Sequence, residues 1–469
     1  MGKSLTAPPI GKYNIKLKLA EDLYYILNPI TGVVLKVDTE GLNFIMSKAK
    51  LSCTGEERRM LKQLVYKKIN ENLNPYFNSF EIILGWACNL SCKYCFENPI
   101  KSSKFYERFD HKLLKYALEF IDTHRRGSLN IGLNGGEPLL LSNIPLVTKI
   151  FRYCRDNDGT LNITTNGLTL KHVTGLLTKY QENIGHIRIT IDGPEIVHNA
   201  RRSTQGGGKS FGDIIVGIDR LLSEGFPESK IIIITKLDKD NIGYLQEYLT
   251  WLETKGWLGK IRVGLGVVGS YGTCYTKRNR LADEREELLQ NIINYFTANP
   301  VYLRYVTFDD ECMSVDIVRE ILLNKKMPTI NPFGCNGLSG NGCVLTPDGK
   351  VYPCLFLAEH GLLHIGTFYP SSNVYIDSLK QILTSHNILR LEECQDCNLL
   401  PICGGTCAFR DLTKQELELL KSGKLSLNRC HSCMARGLIE EEIPKVFRKY
   451  IMYLESTHNN LNKTGGMQE

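Results

Sequence analysis

The sequence predicts an α/β protein: a partial (βα)6 TIM-like barrel, preceded by a small winged-helix-like module and followed by a cysteine-rich domain. Six apolar strand-like runs alternate with amphipathic helical stretches between residue 81 and about residue 300, the pattern of a parallel sheet. Ahead of them, about eighty residues carry a hairpin pattern and then a helical one. Behind them, from about residue 330, short strands and Gly-rich turns carry dense cysteine, the mark of a domain held by metal rather than by a large core.

In the first segment, 1–79, residues 14–37 read as a hairpin. Strands around Leu23–Leu27 and Val33–Val37 flank the turn composition Asn28-Pro29-Ile30-Thr31-Gly32, and helical patterning runs from about Thr39 to Ile69. A plain extension packed on the next domain is the alternative. The barrel occupies 80–300, with strands at 81–86, 129–134, 160–165, 186–191, 230–236 and 260–268. Helices are expected near 110–124, 143–156, 170–181, 212–224, 242–256 and 281–297. Such a sheet places its site at the C-terminal strand ends. Residues 301–334 bridge to the cysteine-rich domain, 335–440, and 441–469 form a C-terminal helix with a frayed tail.

With 469 residues, 42% hydrophobic and 23% charged, the chain has the composition of a soluble multidomain protein. It shows no run of eighteen apolar residues and no signal-peptide h-region, so the expectation is a cytoplasmic protein without a membrane partner. The excess of 57 basic over 50 acidic residues is small; it permits an acidic peptide partner and does not call for nucleic acid. Sixteen cysteines in a reducing compartment point to metal or cluster ligation rather than disulfides. The myristoylation-like Met1-Gly2 start and the N-x-S/T sites at Asn89, Asn162 and Asn462 are chance matches.

The segment GWACNLSCKYCFENP places Cys88, Cys92 and Cys95 directly after the first strand. Three thiolates cannot complete a closed four-ligand site, so an open coordination position is built in. Two other motifs are decoys. GGGKS at Gly206–Ser210 has no strand leading into it, and GLGVVG at Gly264–Gly269 has no convincing helix behind it. The latter reads as a barrel strand end, with Val263 or Leu265 the candidate contact for adenine.

Taken together, the Cys88-x3-Cys92-x2-Cys95 loop with Tyr94 before its last cysteine, GGEP at Gly135–Pro138, TTNG at Thr164–Gly167, TIDGP at Thr190–Pro194 and HNARR at His198–Arg202 resemble the radical S-adenosylmethionine (radical SAM) enzymes. Asn199 stands where that family commonly has Asp. The resemblance implies that Cys88, Cys92 and Cys95 hold a [4Fe–4S] cluster whose open iron chelates S-adenosylmethionine. It implies that Gly135, Gly136 and Glu137 meet the methionine moiety. Thr190 and Arg202 would meet the ribose and carboxylate side, and the Tyr94 backbone the adenine. Thr165, Asn166 and Asp192, in the strand-end motifs, belong to the same expected site.

Downstream, Cys335, then Gly349-x4-Cys354, then Cys394-x2-Cys397-x5-Cys403-x3-Cys407 and Cys430 resemble the SPASM extension of those enzymes. That resemblance implies two auxiliary [4Fe–4S] clusters, three clusters in all. The first would use Cys335, Cys354 and Cys407, with Cys343 as fourth ligand or an open position able to take a substrate thiolate. The second would use Cys394, Cys397, Cys403 and Cys430, with Cys433 as an alternative to Cys430. A zinc ribbon is the competing use of such pairs. Cys53, Cys154, Cys274 and Cys312 are expected to be structural. The segment CVLTPDGKVYPC fits a hairpin with a Pro-Asp-Gly turn.

By the resemblance, the enzyme abstracts hydrogen from an unactivated carbon of a peptide, with the auxiliary clusters as electron sink or thiolate anchor. The favoured substrate is a ribosomally made precursor peptide with a leader, cross-linked by a thioether or carbon–carbon bond. An electron donor such as flavodoxin or ferredoxin is implied. The alternative is an anaerobic sulfatase-maturing enzyme that makes formylglycine; those carry Asp directly after the Cys of G-x4-C, where this chain has Leu355. A reading of another class, a non-catalytic iron–sulfur or zinc adaptor, leaves GGEP and the open loop without a purpose. Asp309, Asp310 and Glu311 are candidates for a general base, though an acidic run is more often a solvated face.

Overall fold

The computed structural model describes residues 11–464 apart from 53, 96, 98–106, 269–277, 309–312, 406, 410–411, 413 and 423–437. Its N-terminal module is a three-stranded antiparallel sheet in the order β1 (Ile15–Ala20), β2 (Leu23–Asn28), β3 (Val33–Val37), followed by helices Thr39–Ser52 and Thr54–Asn72. The sequence predicted only the second and third strands. In β1, Lys16 and Lys18 alternate with Ile15, Leu17 and Leu19, whose side chains are buried in the main core. The other face packs Tyr24 and Ile26 against Leu42 and Ile45.

Six parallel barrel strands follow: β4 (Ser79–Ile83), β6 (Asn130–Asn134), β7 (Thr160–Thr165), β8 (Ile184–Thr190), β10 (Ile231–Leu237) and β11 (Arg262–Val267). Two short strands outside that sheet, β5 (Leu90–Cys92) and β9 (Arg202–Thr204), pair with each other. A seventh parallel strand, β12 (Val306–Phe308), extends the barrel past β11. Period-two alternation divides the faces. Phe80 and Ile82, Ile131 and Leu133, Leu161 and Ile163, Ile187 and Ile189, Ile233, Val263 and Leu265 are fully buried in one core with the barrel helices. The alternate positions, among them Glu81, Asn134, Arg188, Thr190 and Lys236, are half-buried and line the concave face.

The cysteine-rich domain is not a separate body. Its hairpin, β13 (Gly342–Leu345) and β14 (Lys350–Tyr352), forms as expected around the Pro-Asp-Gly turn, but β13 also pairs in parallel with β4. With β15 (Gly366–Thr367) and β16 (Asn373–Val374) the result is one eleven-stranded sheet in the order β12-β11-β10-β8-β7-β6-β4-β13-β14-β15-β16. The C-terminal helix, Ile443–Thr464, returns to the N-terminal module, where the Arg448 guanidinium donates to the Leu19 carbonyl at 3.2 Å. Among the described residues no helix is long and apolar enough to cross a membrane.

Candidate active site

The cysteine loop leaves β4 and is stitched to the HNARR segment, because β5 pairs with β9 so that Cys92 lies opposite Arg202. Cys88 and Cys92 are buried and Cys95 half-buried, packed with Leu90 and Leu168. The Cys88 sulfur receives the Leu90 amide at 3.4 Å and the Asn166 side-chain amide at 3.5 Å, donors that favour a thiolate. Gln205, which the sequence did not single out, donates to the Cys88 and Leu90 carbonyls and holds the loop's backbone.

Gly135 and Gly136 take left-handed φ of 75° and 49° as the chain turns off β6. A β-carbon on Gly136 would stand 2.3 Å from the Ala87 carbonyl oxygen, so the two loops meet backbone to backbone. Glu137 is held in place by three donors. Its carboxylate accepts the Thr165 hydroxyl at 2.6 Å, the Asn166 amide at 2.7 Å and the Leu139 amide at 2.9 Å. Burial pushes its pKa up against these donors. Glu137 and Thr165 thus tie the second and third strand ends together from within the core. The carboxylate that reaches Gly136 is Glu97, which accepts its amide at 2.9 Å. Its signal in the sequence was an acidic residue two places after Cys95.

Tyr94 contributes more than backbone. Its hydroxyl donates to Asp192 at 2.5 Å and accepts from Arg202 at 2.6 Å, while the guanidiniums of Arg201 and Arg202 lie over its ring. Asp192, fully buried, also accepts the Lys236 amide and the Arg201 Nε. Arg201, unforeseen, is fixed by the Asp238 carboxylate at 2.6 Å to each oxygen. Burial opposes the Arg202 charge, but Tyr94, Cys92 and Asp192 around it push its pKa up. Its Nε is buried without a partner among the described residues. A buried donor of that kind calls for an acceptor, and a carboxylate is the natural one.

His198 and Asn199 hold this segment from behind. The His198 ring is fully buried between the Asp192 amide and the Ser210 hydroxyl. The Asn199 side chain accepts the amides of Ser210 and Phe211, which supplies the acceptor that Asp would. Burial, then the Arg202 charge, lowers the His198 pKa to about 3. An unfolded histidine takes its proton near 6.5, so this stabilisation is complete above that pH and is lost toward pH 3 at about 1.4 kcal/mol per unit. Urea unfolding of the metal-free chain should lose about 2 kcal/mol on this account between pH 7 and pH 5. His198→Gln should flatten that part of the slope; identical slopes would count against it.

Two expected site residues stand elsewhere. Val263 belongs to the helix-packed face of β11, as does Leu265, and neither looks into the cleft; Gly264 and Gly266 do. Cys343 pairs with Phe80 and is 2% exposed in the core, where burial, then the Glu81 charge, push its pKa up. The Cys335 thiol, by contrast, is hydrogen-bonded to Cys407, and that bond, burial and the charges of Cys407 and Cys354 push its pKa up; burial, with the charge of Cys407, holds Cys354 up to about 12. Cys394, Cys397 and Cys403 are half-buried on the following loop and helix. Cys430, Cys433, Cys53, Cys274, Cys312, Asp309, Asp310 and Glu311 lie outside the described residues. Cys154 is buried in the core.

Among the described residues no three His, Cys, Asp or Glu side chains are gathered as around a single ion. The family model of the Radical SAM superfamily matches residues 82–252, and that of an iron-sulfur cluster-binding domain, SPASM, matches residues 335–408. A serine-type anaerobic sulfatase-maturating enzyme of Bacteroides thetaiotaomicron is 26% identical over 348 residues, 69% of this chain and 80% of that protein. In fold, the chain is similar to anSMEcpe with bound AdoMet and Cp18Cys peptide, at TM-score 0.58 and 16% identity over 81% of this chain and 99% of that one. It is also similar to Streptococcus suis SuiB bound to precursor peptide SuiA, at TM-score 0.51 and 15% identity over 91% and 99%.

Proposed function

Because the chain carries a radical SAM domain and a SPASM iron–sulfur domain and is a radical SAM enzyme, we propose that it modifies a ribosomally made precursor peptide, joining a cysteine sulfur to a carbon as a thioether. The observation that carries this reading is the three-thiol group of Cys335, Cys354 and Cys407, with Cys343 turned into the core. A cluster held by three cysteines leaves one iron for an outside ligand, and a substrate thiolate fits it.

In this reading Cys88, Cys92 and Cys95 hold the first [4Fe–4S] cluster, and Cys394, Cys397 and Cys403 with Cys430 or Cys433 hold the third. The Arg202 Nε fits the carboxylate of S-adenosylmethionine, oriented by Tyr94 and Asp192. The methionine amino group falls to the Gly135–Gly136 backbone and Glu97 rather than to Glu137, whose carboxylate is already engaged. Bound to the reduced cluster, S-adenosylmethionine supplies the radical that takes a hydrogen atom from the peptide. A flavodoxin or ferredoxin delivers the electron. The leader binds the N-terminal module, where β3 has one edge unpaired among the described residues and an added strand fits.

Tyr94→Phe should weaken S-adenosylmethionine binding about tenfold, the worth of one hydrogen bond to a charged group, with iron content unchanged. Equilibrium dialysis checks it; unaltered affinity would remove Tyr94 from the positioning of Arg202.

A second reading, a sulfatase-maturing enzyme, is favoured by the name of the Bacteroides relative; Leu355 after Cys354 speaks against it. The deciding experiment is anaerobic reconstitution and incubation with dithionite, S-adenosylmethionine and the short cysteine-containing peptide encoded beside the gene. Deoxyadenosine together with a peptide lighter by two hydrogens, its cysteine no longer alkylated, supports the thioether reading. An unchanged precursor and a formylglycine formed in a sulfatase peptide would replace it.

A further inference from the structure

The concave face of the barrel carries a carboxylate that the proposed cofactor site does not use. Glu81, on β4, lies across the neighbouring strand β6: a β-carbon on Gly132 would stand 2.2 to 2.4 Å from its carboxylate atoms, so only glycine leaves room for it. There its Oε2 accepts the Asn134 side-chain amide at 2.5 Å. Asn134 is the last residue of β6 and stands directly before Gly135, at the strand end where the second strand meets the cysteine loop.

A carboxylate only accepts, so this hydrogen bond settles which way the Asn134 amide is turned. Nδ2 faces Glu81, whose pairing partner Gly132 lies two residues back along β6, toward the strand's N-terminal end. Oδ1 is turned the other way, toward the barrel mouth. Beside it on β7, Thr164 follows Ile163, the partner of Leu133, by one residue and shares the concave face. Among the described residues neither the Asn134 Oδ1 nor the Thr164 hydroxyl has a hydrogen-bond partner, and neither is sealed from solvent. Two neighbouring strands, about 4.8 Å apart, thus offer an acceptor and a hydroxyl that both donates and accepts.

A neutral pair of this kind suits an amide better than a charged group. An extended peptide turns the N–H and the C=O of one residue to the same side, where such a pair meets both. The charged ends of S-adenosylmethionine have other partners in the proposed site, Arg202 and Glu97. We infer that Asn134 accepts a backbone N–H of the substrate peptide, with Thr164 on the carbonyl of the same residue, and that Glu81 is the positioning residue that keeps the Asn134 oxygen turned to it. The inference rests on the reading of the chain as a peptide-modifying enzyme.

The test uses the reconstituted full chain, dithionite, S-adenosylmethionine and the cysteine-containing peptide encoded beside the gene, synthesised with one backbone N–H at a time replaced by an ester oxygen. In wild type one ester position should raise the peptide KM roughly five- to tenfold, the worth of one hydrogen bond. Asn134→Ala should show the same rise with the all-amide peptide, and that ester should then cost nothing further. Iron content and S-adenosylmethionine affinity should equal wild type. Glu81→Gln, whose amide presents either an oxygen or an N–H to Asn134, should give the same change in smaller degree. If no ester position raises KM in wild type the inference falls, and it falls even where neither variant folds. It falls as well if the ester and Asn134→Ala effects simply multiply. Weaker S-adenosylmethionine binding by Asn134→Ala, with the peptide KM unchanged, would make Asn134 a cofactor contact and overturn it too. A wild type that modifies the sulfatase peptide alone overturns the thioether reading only: the ester series is then made in that peptide, and the same outcomes decide. If wild type makes deoxyadenosine but changes neither peptide, both fall.

Discussion

Cys88→Ala should abolish cleavage of S-adenosylmethionine, whereas Cys397→Ala should spare cleavage and lose the peptide product. The two cysteines stand in different parts of one molecule. Cys88 sits at the barrel mouth, its sulfur taking the amides of Leu90 and Asn166 in a loop zipped to the Arg202 strand. Cys397 lies on the loop beneath the N-terminal module, with its amide on the Cys394 carbonyl at 3.0 Å. Each variant should lose about a third of the bound iron, since three clusters are proposed. The first should give no deoxyadenosine above background. The second should give deoxyadenosine at the wild-type rate with an unmodified peptide. Product from Cys397→Ala would take the auxiliary centres out of the mechanism.

Gly136→Ala should be nearly as damaging without touching a ligand. Its φ of 49° already costs any L-residue about 1–2 kcal/mol. The new methyl would also stand 2.3 Å from the Ala87 oxygen, 2.8 Å from the Trp86 carbonyl carbon and 2.9 Å from the Gly85 oxygen. All three are backbone atoms, so no side chain can swing aside, and the cysteine loop must move. The expected outcome is loss of the cluster at Cys88, Cys92 and Cys95, measured as iron content and S-adenosylmethionine binding. Gly127→Ala is the control: its φ is 78° but nothing lies within 4 Å, so only the backbone strain remains, about 1 kcal/mol. If Gly136→Ala keeps its iron and its affinity, the close approach of the two loops is not what holds the site.

The barrel was legible because LNIGLN, TLNITT and HIRITI alternate apolar residues with polar ones or glycine, EIILGW and KIIIITK are short apolar runs, and the helices between them carry apolar stripes, all local signals. The same locality explains the misses. In KIRVGLGVV, Lys260, Arg262, Gly264 and Gly266 alternate with Ile261, Val263, Leu265 and Val267, and the structure packs the second set, Val263 included, against the helices; the glycines of the other face carry no side chain that a sequence reading could offer as a contact. Cys343 has suitable spacing to Cys335, but its neighbour is Phe80, and no local pattern announces a pairing so distant in the chain. GGEP marked the right loop. Which carboxylate points where depended on Thr165 and the amides of Leu139 and Asn166, contacts that only the folded chain defines.

The parallel pairing of β4 with β13 has a consequence for synthesis. Phe80 meets Cys343, so one edge of the first barrel strand stays bare until about 260 further residues have been made. At 5–20 residues per second the ribosome needs roughly ten to fifty seconds for that. Throughout this interval the nascent barrel offers an open row of amides and carbonyls beside Ile82 and Ile83, a template for pairing with other chains. A message broken before the hairpin at 342–352 therefore yields a protein whose catalytic half is complete in sequence yet prone to aggregate, and the late domain serves the early one as its last strand.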